Sequence, residues 1–346
     1  MVPVKRFRRP RDIKVGVIGY GGAFNMGRWH LQEMKRAGMT PTAVVEIDPA
    51  RLKAAKADFP GIETYPSASA MLKDSQVNLA VLITPHNTHA RLAIQCLRAG
   101  RHVVCEKPFA ITTRQCDAMI AAAKAKRLLL STYHNRHWDG CILQATKAVR
   151  SGVIGEVFRV EAHMGSYAKP GDWWRSSKSI SGGVLYDWGV HLLEYALQIM
   201  HSDIVEVTGM AKTGFWAPKT RWKNDTNEDE AVALVRFANG AWMSLCISQI
   251  DSNPERGWLE ITGTKGTYLF DHGTWEVTTH DGDKTIVTKG RNPPSEGWRF
   301  YQNIADCLTK GKELIITPQW ARRPIHILDL ANRSAKLGRS LKAVCK

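Results

Sequence analysis

The run Ile13-Lys14-Val15-Gly16-Val17-Ile18, rich in β-branched residues and closed by Gly19-Tyr20-Gly21-Gly22, constrains this chain more than any other stretch. Beyond it, Gly27 to Gly38 reads as a helix carrying Trp29, Leu31 and Met34. A strand that feeds a glycine turn and then a helix is the setting in which a G-x-G pattern means dinucleotide binding. Gly19 would permit the tight turn, and Gly21 would let the backbone approach a pyrophosphate. The helix N-terminus would add amide donors and a partial positive charge. Phe24 stands where the fingerprint has its third glycine, and Gly27 takes that role if three residues are inserted. The candidate phosphate cradle is therefore Gly19, Gly21, Gly22, Ala23, Phe24 and Asn25.

The same alternation continues downstream. Pro41 to Asp48 reads as a second strand with acidic residues at its end. A carboxylate there accepts from the adenosine ribose hydroxyls and repels a 2′-phosphate, which favours NAD over NADP. Glu46 is the first choice and Asp48 the second, capping of the helix near Pro49 being the other use for an acid here. Arg51 leaves NADP open beside NAD. Val77–Ile83 reads as a buried parallel strand broken by Thr84-Pro85, and His89 to Ala99 as a helix closed by Gly100. Arg101–Cys105 is another strand, ending in Glu106-Lys107-Pro108, and Leu128–Tyr133 the last of this half. Such alternation gives an α/β fold with a doubly wound parallel sheet. Ligands of such sheets bind beyond the carboxyl ends of the strands. Gly19–Gly22, Glu46, Thr84–Pro85 and Glu106–Lys107 all fall there, and that co-location weighs more than any single motif.

At 346 residues the chain is long enough for two domains, and 44% hydrophobic with 23% charged residues is ordinary for a globular protein. No apolar run is long enough to cross a bilayer, and the basic start has no apolar stretch before Ile13, so it does not read as a secretory signal. Seven cysteines without a C-x-x-C pair or zinc-like spacing fit reduced thiols in a cytoplasmic protein with no metal site. The net charge of +16 raises nucleic-acid binding, with the basic arm at residues 5–14 as its footprint. The other Lys and Arg are dispersed rather than gathered beside aromatic residues, so neither nucleic acid nor membrane is expected as a partner. A basic surface equally favours anionic substrates or cofactors.

A second candidate centre lies at Ser181-Gly182-Gly183-Val184-Leu185-Tyr186-Asp187-Trp188-Gly189-Val190-His191-Leu192-Leu193-Glu194. Read as a helix opening after the glycine pair, it stacks Asp187 and His191 on one face, one turn apart. A carboxylate and an imidazole so placed suit proton transfer at a shared substrate atom. A His one turn from an Asp is also a common surface pair.

Thr84-Pro85-x-x-x-His89 followed by Ala99-Gly100-Arg101-His102-Val103-Val104-Cys105-Glu106-Lys107-Pro108 resembles the glucose–fructose oxidoreductase/inositol dehydrogenase/rhizopine-catabolism (Gfo/Idh/MocA) family. Gly182-Gly183-x-Leu185-x-Asp187-x-Gly189-x-His191 resembles that family's second signature. The resemblance implies a Rossmann domain at residues 1–135 that binds NAD(P). It implies a second α/β domain at residues 136–346, for substrate binding and oligomerisation, on an open, mostly antiparallel sheet. Its C-terminal helix is expected to return toward the first domain, and the protein to form a homo-oligomer. The implied activity is NAD(P)-dependent oxidation or reduction of sugars, cyclitols and related polyols. Lys107, Asp187 and His191 become the implied catalytic group. The lysine would polarise the reacting oxygen, His191 would act as general base, and Asp187 would orient the imidazole or a substrate hydroxyl. Without the resemblance, Lys107 also reads as a solvated lysine before a proline turn. Cofactor contacts are expected from Thr84, Pro85, His89, Glu106, Lys107 and Asn135. Two departures bear on them: the first turn is three residues longer than usual, and His86 stands where the family often has Asn.

His134-Asn135-Arg136-His137-Trp138-Asp139 looks like the same region of scyllo-inositol dehydrogenases in this family, which places Arg136 at the substrate; a domain junction held by buried polar contacts is the alternative. A helix near Cys141–Arg150 and an alternating strand Val157–Tyr167 come next. The loop from Tyr167 to Ser181 carries Trp173, Trp174 and Arg175. Indole faces stack on sugar rings and arginine donates to hydroxyls, so Tyr167, Trp173 and Trp174 form a candidate substrate wall. Packing against the Asp187 helix explains one of the two tryptophans equally well. Val205–Thr213, Glu230–Phe237, Ala241–Ile250, Trp258–Thr262 and Gly266–Phe270 read as hairpins of one antiparallel sheet. Residues 215–229 form a polar loop without an assigned role, and Trp298–Leu308 and Pro318–Leu341 read as helices. Three functions follow from these readings. The first is hydride transfer between NAD and a hydroxyl of a sugar, cyclitol or glycoside. The second is glycoside cleavage by transient oxidation, elimination, water addition and re-reduction. The third, suggested by the basic arm, is a non-catalytic sensor or nucleic-acid-associated protein that keeps a dinucleotide fold.

Overall fold

The computed structural model describes residues 7–343; Met1–Arg6 of the basic arm and the last three residues lie outside the described residues. The chain divides into two compact units. One holds the residues through His134 together with Trp298–Arg322; the other holds Asn135–Gly297 and the chain from Arg323 onward. Trp298–Arg322, well past the expected boundary after Asn135, thus belongs to the first unit.

In the first unit the apolar runs form β1 (Lys14–Ile18), β2 (Thr40–Val45), β3 (Glu63–Tyr65), β4 (Leu79–Leu82), β5 (His102–Cys105) and β6 (Leu130–Thr132). All pair in parallel in the order β3-β2-β1-β4-β5-β6. Successive buried residues such as Val103 and Val104 mark strands covered on both faces. The intervening helices are α1 (Met26–Arg36), α2 (Pro49–Asp58), α3 (Ala68–Asp74), α4 (His89–Arg98) and α5 (Thr113–Lys126). Thr112 and Gln115 close a reciprocal capping box at the start of α5, which satisfies two amides the helix leaves open. The order reverses between β1 and β4, so the chain ends after these strands diverge and leave a crevice there. The helix Arg299–Lys310 completes this unit. Its Phe300 and Tyr301 pack against the Tyr133 ring at centroid separations of 4.9 and 5.5 Å. Burial of each such aromatic side chain contributes roughly 1.5–3 kcal/mol. Ser131 Oγ donates to Ile316 O at 2.8 Å and Arg322 Nε to Asp117 at 2.6 Å, fastening the rest of the segment.

The second unit runs through α6 (Gly140–Arg150), β7 (Val157–Gly165), α7 (Lys178–Ser181), α8 (Gly189–Ile199), β8 (Ile204–Lys212), β9 (Glu230–Phe237) and β10 (Trp242–Ser248). β11 (Leu259–Gly263), β12 (Gly266–Phe270), β13 (Thr274–Asp281), β14 (Lys284–Arg291) and the short β15 (Leu341–Lys342) follow. The nine strands form one sheet in the order β14-β13-β12-β11-β7-β10-β9-β8-β15. Every neighbouring pair is antiparallel except β7 with β10, so the sheet is mostly antiparallel as expected, with one parallel pair at its centre. Ala231, Ala233, Val235 and Phe237 are buried while Leu234 and Trp242 are exposed, the alternation of a sheet packed on one face. The nearly all-apolar α8 lies on that packed face, against β7 and β10.

The helix expected to reach Leu341 stops at Leu337, where Gly338 takes φ 63° and the chain turns back to pair as β15 with β8. Among the described residues no helix is long and apolar enough to cross a membrane. The helix Pro318–Leu337 approaches β8 so closely that a Cβ on Gly209 would overlap Ala331 O, and Gly209 N donates to Ser334 Oγ at 2.9 Å. Gly209→Ala is therefore expected to destabilise the fold by about 1–3 kcal/mol through overpacking, read as a lower urea midpoint with an unchanged m-value.

Candidate active site

Beyond β1 the chain turns through Gly19 at φ 106°, where a side chain would overlap Ile83 O; only glycine tolerates both conditions. A Cβ on Gly21 would meet nothing within 4 Å, and one on Gly22 only the Arg51 guanidinium at 3.2 Å. Ala23 and Phe24 extend the exposed turn, and Asn25 enters α1 in the left-handed conformation at φ 50°. Gly27 lies in the first turn of α1, where a Cβ would come within 2.9 Å of Gly19 O. The inserted residues lengthen the turn yet leave helix and glycine in close contact, as the third glycine of the fingerprint does. A turn open to close backbone approach, facing the N-terminus of an 11-residue helix, fits the pyrophosphate of a dinucleotide.

Glu46 follows β2 directly. Its Oε2 accepts from Tyr20 N at 2.7 Å, and its Oε1 from Ile47 N at 2.7 Å and Asp48 N at 3.3 Å. Amide donors thus fix this carboxylate at the strand end, with lone pairs left for a ribose diol. Asp48 instead caps α2, its Oδ1 accepting from Ala50 N at 2.8 Å. Arg51 spans the glycine turn, donating to Tyr20 O at 2.9 Å and to Asn25 Oδ1 at 3.2 Å.

Thr84 and Pro85 end β4, and Glu106 and Lys107 end β5, Lys107 preceding a cis proline. The fully buried His89 ties these loops together: its Nε2 lies 2.9 Å from Thr84 O and its Nδ1 2.9 Å from Pro108 O. Both ring nitrogens face backbone carbonyls and the one that carries the proton donates, so His89 acts on the site by holding its loops. Glu106 accepts the Lys107 amide at 2.8 Å through Oε2, and its Oε1 faces His30 Nε2 at 3.1 Å. Burial works to neutralise this carboxyl, but the His30 bond and the nearby charges hold its pKa below the ordinary value.

In the second unit the signature run does not form the single helix expected of it. Gly182 and Gly183, at φ 98° and 129°, end α7; a 3-10 turn spans Val184–Tyr186, and α8 begins only at Gly189. Asp187 therefore stands ahead of the helix, at a break in the backbone, while His191 sits in its first turn. The Asp187 carboxylate, 41% exposed, lies 3.9 Å from Arg175 Nε. The Arg175 guanidinium stacks on both Trp173 and Trp174, at 4.9 and 4.8 Å. The two indoles thus hold the arginine that faces Asp187. His191 meets the Trp188 ring edge-on at 5.6 Å, and the Arg136 guanidinium covers the same indole at 4.9 Å. Arg136 is held by Asp139 at 2.9 Å, which also accepts from Tyr195 OH at 2.6 Å. Asn135 opens the 3-10 turn that carries Arg136. Tyr167, 58% exposed, makes a separate aromatic cluster with Phe215 and Trp216.

The loop at 215–229 gains a role from this geometry. Asp225 accepts from Ser179 N at 2.9 Å and from the Ser177 hydroxyl. Asn227 donates to Arg175 O at 2.7 Å and accepts from Ser181 Oγ at 2.9 Å. Glu228, 2% exposed, accepts from Val184 N at 3.0 Å and pairs with the Lys178 ammonium. Three side chains from one short stretch thus bind the chain from Arg175 to Val184, and so fix the approach to Asp187. Sequence reasoning missed them, along with His30, Tyr301 and Tyr195; the run Asp225 to Glu228 offers only its density of polar residues as a signal.

Two family models match the chain. One, described as an oxidoreductase family with an NAD-binding Rossmann fold, covers residues 13–134; the other, the GFO/IDH/MocA C-terminal domain, covers residues 142–269. The uncharacterized oxidoreductase YdgJ of Escherichia coli is 34% identical, over 94% of this chain and 97% of its own. The scyllo-inositol 2-dehydrogenase (NADP(+)) IolW of Bacillus subtilis is 24% identical, over 99% of both chains. The crystal structure of an NAD-binding protein from Listeria innocua superposes with a TM-score of 0.79 and 26% identity, covering 96% of this chain and 97% of that one.

The Glu228 clamp is open to a stability test. Glu228→Ala strands a half-buried ammonium and an amide, and is expected to cost about 3 kcal/mol; Glu228→Gln, which keeps an acceptor for Val184 N, should cost less in chemical denaturation.

Proposed function

The chain belongs to the GFO/IDH/MocA oxidoreductase family and carries its NAD-binding Rossmann domain, and on that premise we propose that it oxidises or reduces a hydroxyl-bearing carbon of a sugar, cyclitol or glycoside. The observation that carries the reading is the open glycine turn at the reversal of strand order, beside the strand ends that bear Glu46, Thr84–Pro85 and Glu106–Lys107. Nicotinamide, when bound, accepts or returns the hydride. The protein's part is alignment and proton movement. In this reading Lys107 donates to the reacting oxygen and steadies its developing charge. His191 takes or gives the hydroxyl proton, and Asp187, held by Arg175, receives a neighbouring hydroxyl. Arg136 and the Trp173–Trp174 pair offer a cation and indole faces to a polyol ring. A relative that acts on scyllo-inositol supports the cyclitol class. Glu46 favours the ribose diol of NAD, whereas Arg51, reaching from α2 across the glycine turn, supplies the cation a 2′-phosphate needs.

The test is a panel of inositols, alditols, aldoses, and methyl and nitrophenyl glycosides, supplied with NAD or NADP and followed at the absorbance of the reduced cofactor. Lys107→Ala and His191→Ala are expected to lower kcat by about 100-fold or more, with NADH affinity by fluorescence changed only a few-fold. Protein that neither binds the dinucleotide nor turns over any member of the panel sinks the reading. Release of nitrophenol that requires NAD yet accumulates no NADH selects glycoside cleavage instead.

A further inference from the structure

Behind Lys107 lies a hydrogen-bonded chain made by residues far apart in sequence. His30, on α1, is 0% exposed. Its Nδ1 lies 2.5 Å from the Tyr301 hydroxyl and its Nε2 3.1 Å from Glu106 Oε1. The other oxygen of Glu106 accepts the Lys107 amide at 2.8 Å. The Tyr133 ring lies 4.2 Å from the imidazole and 5.5 Å from the Tyr301 ring, and Trp29 Nε1 donates to the Tyr133 hydroxyl at 3.1 Å. The imidazole is therefore walled in and keeps its orientation.

We propose that His30 and Tyr301 are positioning residues that hold Glu106, and through it the backbone from which the Lys107 side chain extends. One tautomer satisfies every member of the chain. Tyr301 O–H donates to His30 Nδ1, His30 Nε2–H donates to the Glu106 carboxylate, and the second carboxylate oxygen receives the Lys107 N–H. The Tyr301 hydroxyl stays protonated at any working pH, because burial, then the nearby Tyr133, Glu106 and Glu33, push its pKa well above the usual value. The ionised Glu106 carboxylate can only accept, so the histidine proton faces it and the Tyr301 hydroxyl is left to donate to Nδ1. The charged and titratable groups that face the chain include Lys107, Glu33, Tyr133, His89 and Cys105; Arg36 bonds Glu33 at 2.6 Å. A lysine side chain is long and flexible, so its reach is set by the anchor at its base. A displacement of about 1 Å at a reacting group costs on the order of 100-fold in rate.

The inference rests on the reading of Lys107 as a catalytic residue, and its test separates the two. Full-length Tyr301→Phe, His30→Leu and His30→Gln are compared with wild type and Lys107→Ala. Hydrogen–deuterium exchange at the Lys107 amide is followed with NADH present. Kinetics are measured from pH 5 to 9 on whichever polyol of the panel is turned over. Tyr301→Phe and His30→Leu should exchange this amide about 10-fold faster or more, since its acceptor is loosened. Their kcat should fall roughly 10- to 100-fold with KM and NADH affinity within about 3-fold. In His30→Leu the acid limb of kcat should move to higher pH, because the carboxylate loses the donor that lowers its pKa. His30→Gln, which restores an N–H facing Glu106, should recover part of each effect. Amide exchange and kcat within about twofold of wild type in both Tyr301→Phe and His30→Leu overturn the proposal. Full activity in Lys107→Ala overturns the reading of the lysine alone, and the exchange measurement still decides whether the chain holds that backbone.

Discussion

The first unit depends on how closely two parallel strands pass one another at the point where their order reverses. Ile83 N bonds Ile18 O at 2.8 Å, and the next residue of the first strand, Gly19, has Ile83 O where its side chain would be. A larger residue would push β1 and β4 apart and move the turn that follows. Because Gly19 takes φ 106°, the backbone then swings away from the sheet, and the lengthened turn still delivers Gly27 against Gly19 O. Glu46 locks the arrangement from the other side by accepting the Tyr20 amide. The crevice expected at a reversal of strand order is in this chain the product of one glycine, one carboxylate and one helix contact.

The second unit solves a comparable problem with different means. Asp187 sits between the 3-10 turn and the start of α8, where no intrahelical ladder yet holds the backbone. The stacked Trp173, Arg175 and Trp174 support it from one side, and the Asp225–Glu228 stretch fixes the preceding residues through side chain to backbone bonds. Each bond is worth about 1 kcal/mol net, more where a charge takes part. Their value here lies in direction, since all of them act on one run of ten residues.

Much of this was legible in the chain itself. The strands of the first half announced themselves as apolar runs between turn signals, and the resemblance supplied the family and the second, mostly antiparallel sheet. β3 went unread because Glu63-Thr64-Tyr65 is short, half-buried and at the sheet edge. The hairpin of β13 and β14 went unread because nearly all of Lys284–Arg291 is exposed, so burial imposes no alternation on it. The break before α8 left no mark, since nothing in Asp187-Trp188-Gly189 forbids a helix as proline would. The His30–Tyr301 and Val184–Glu228 bonds join residues 271 and 44 positions apart, and periodicity over a short window has no access to such pairs.

The contact between Gly183 and Glu228 reaches beyond this molecule. A Cβ at 183, where φ is 129°, would come 2.8 Å from a carboxylate oxygen of Glu228. The two positions are thus coupled despite their separation along the chain: a side chain at the first is opposed both by its backbone conformation and by the acid. Anyone grafting the Asp187 loop onto another scaffold must carry the distant acidic stretch with it, because the loop's shape is written partly in residues outside its own borders.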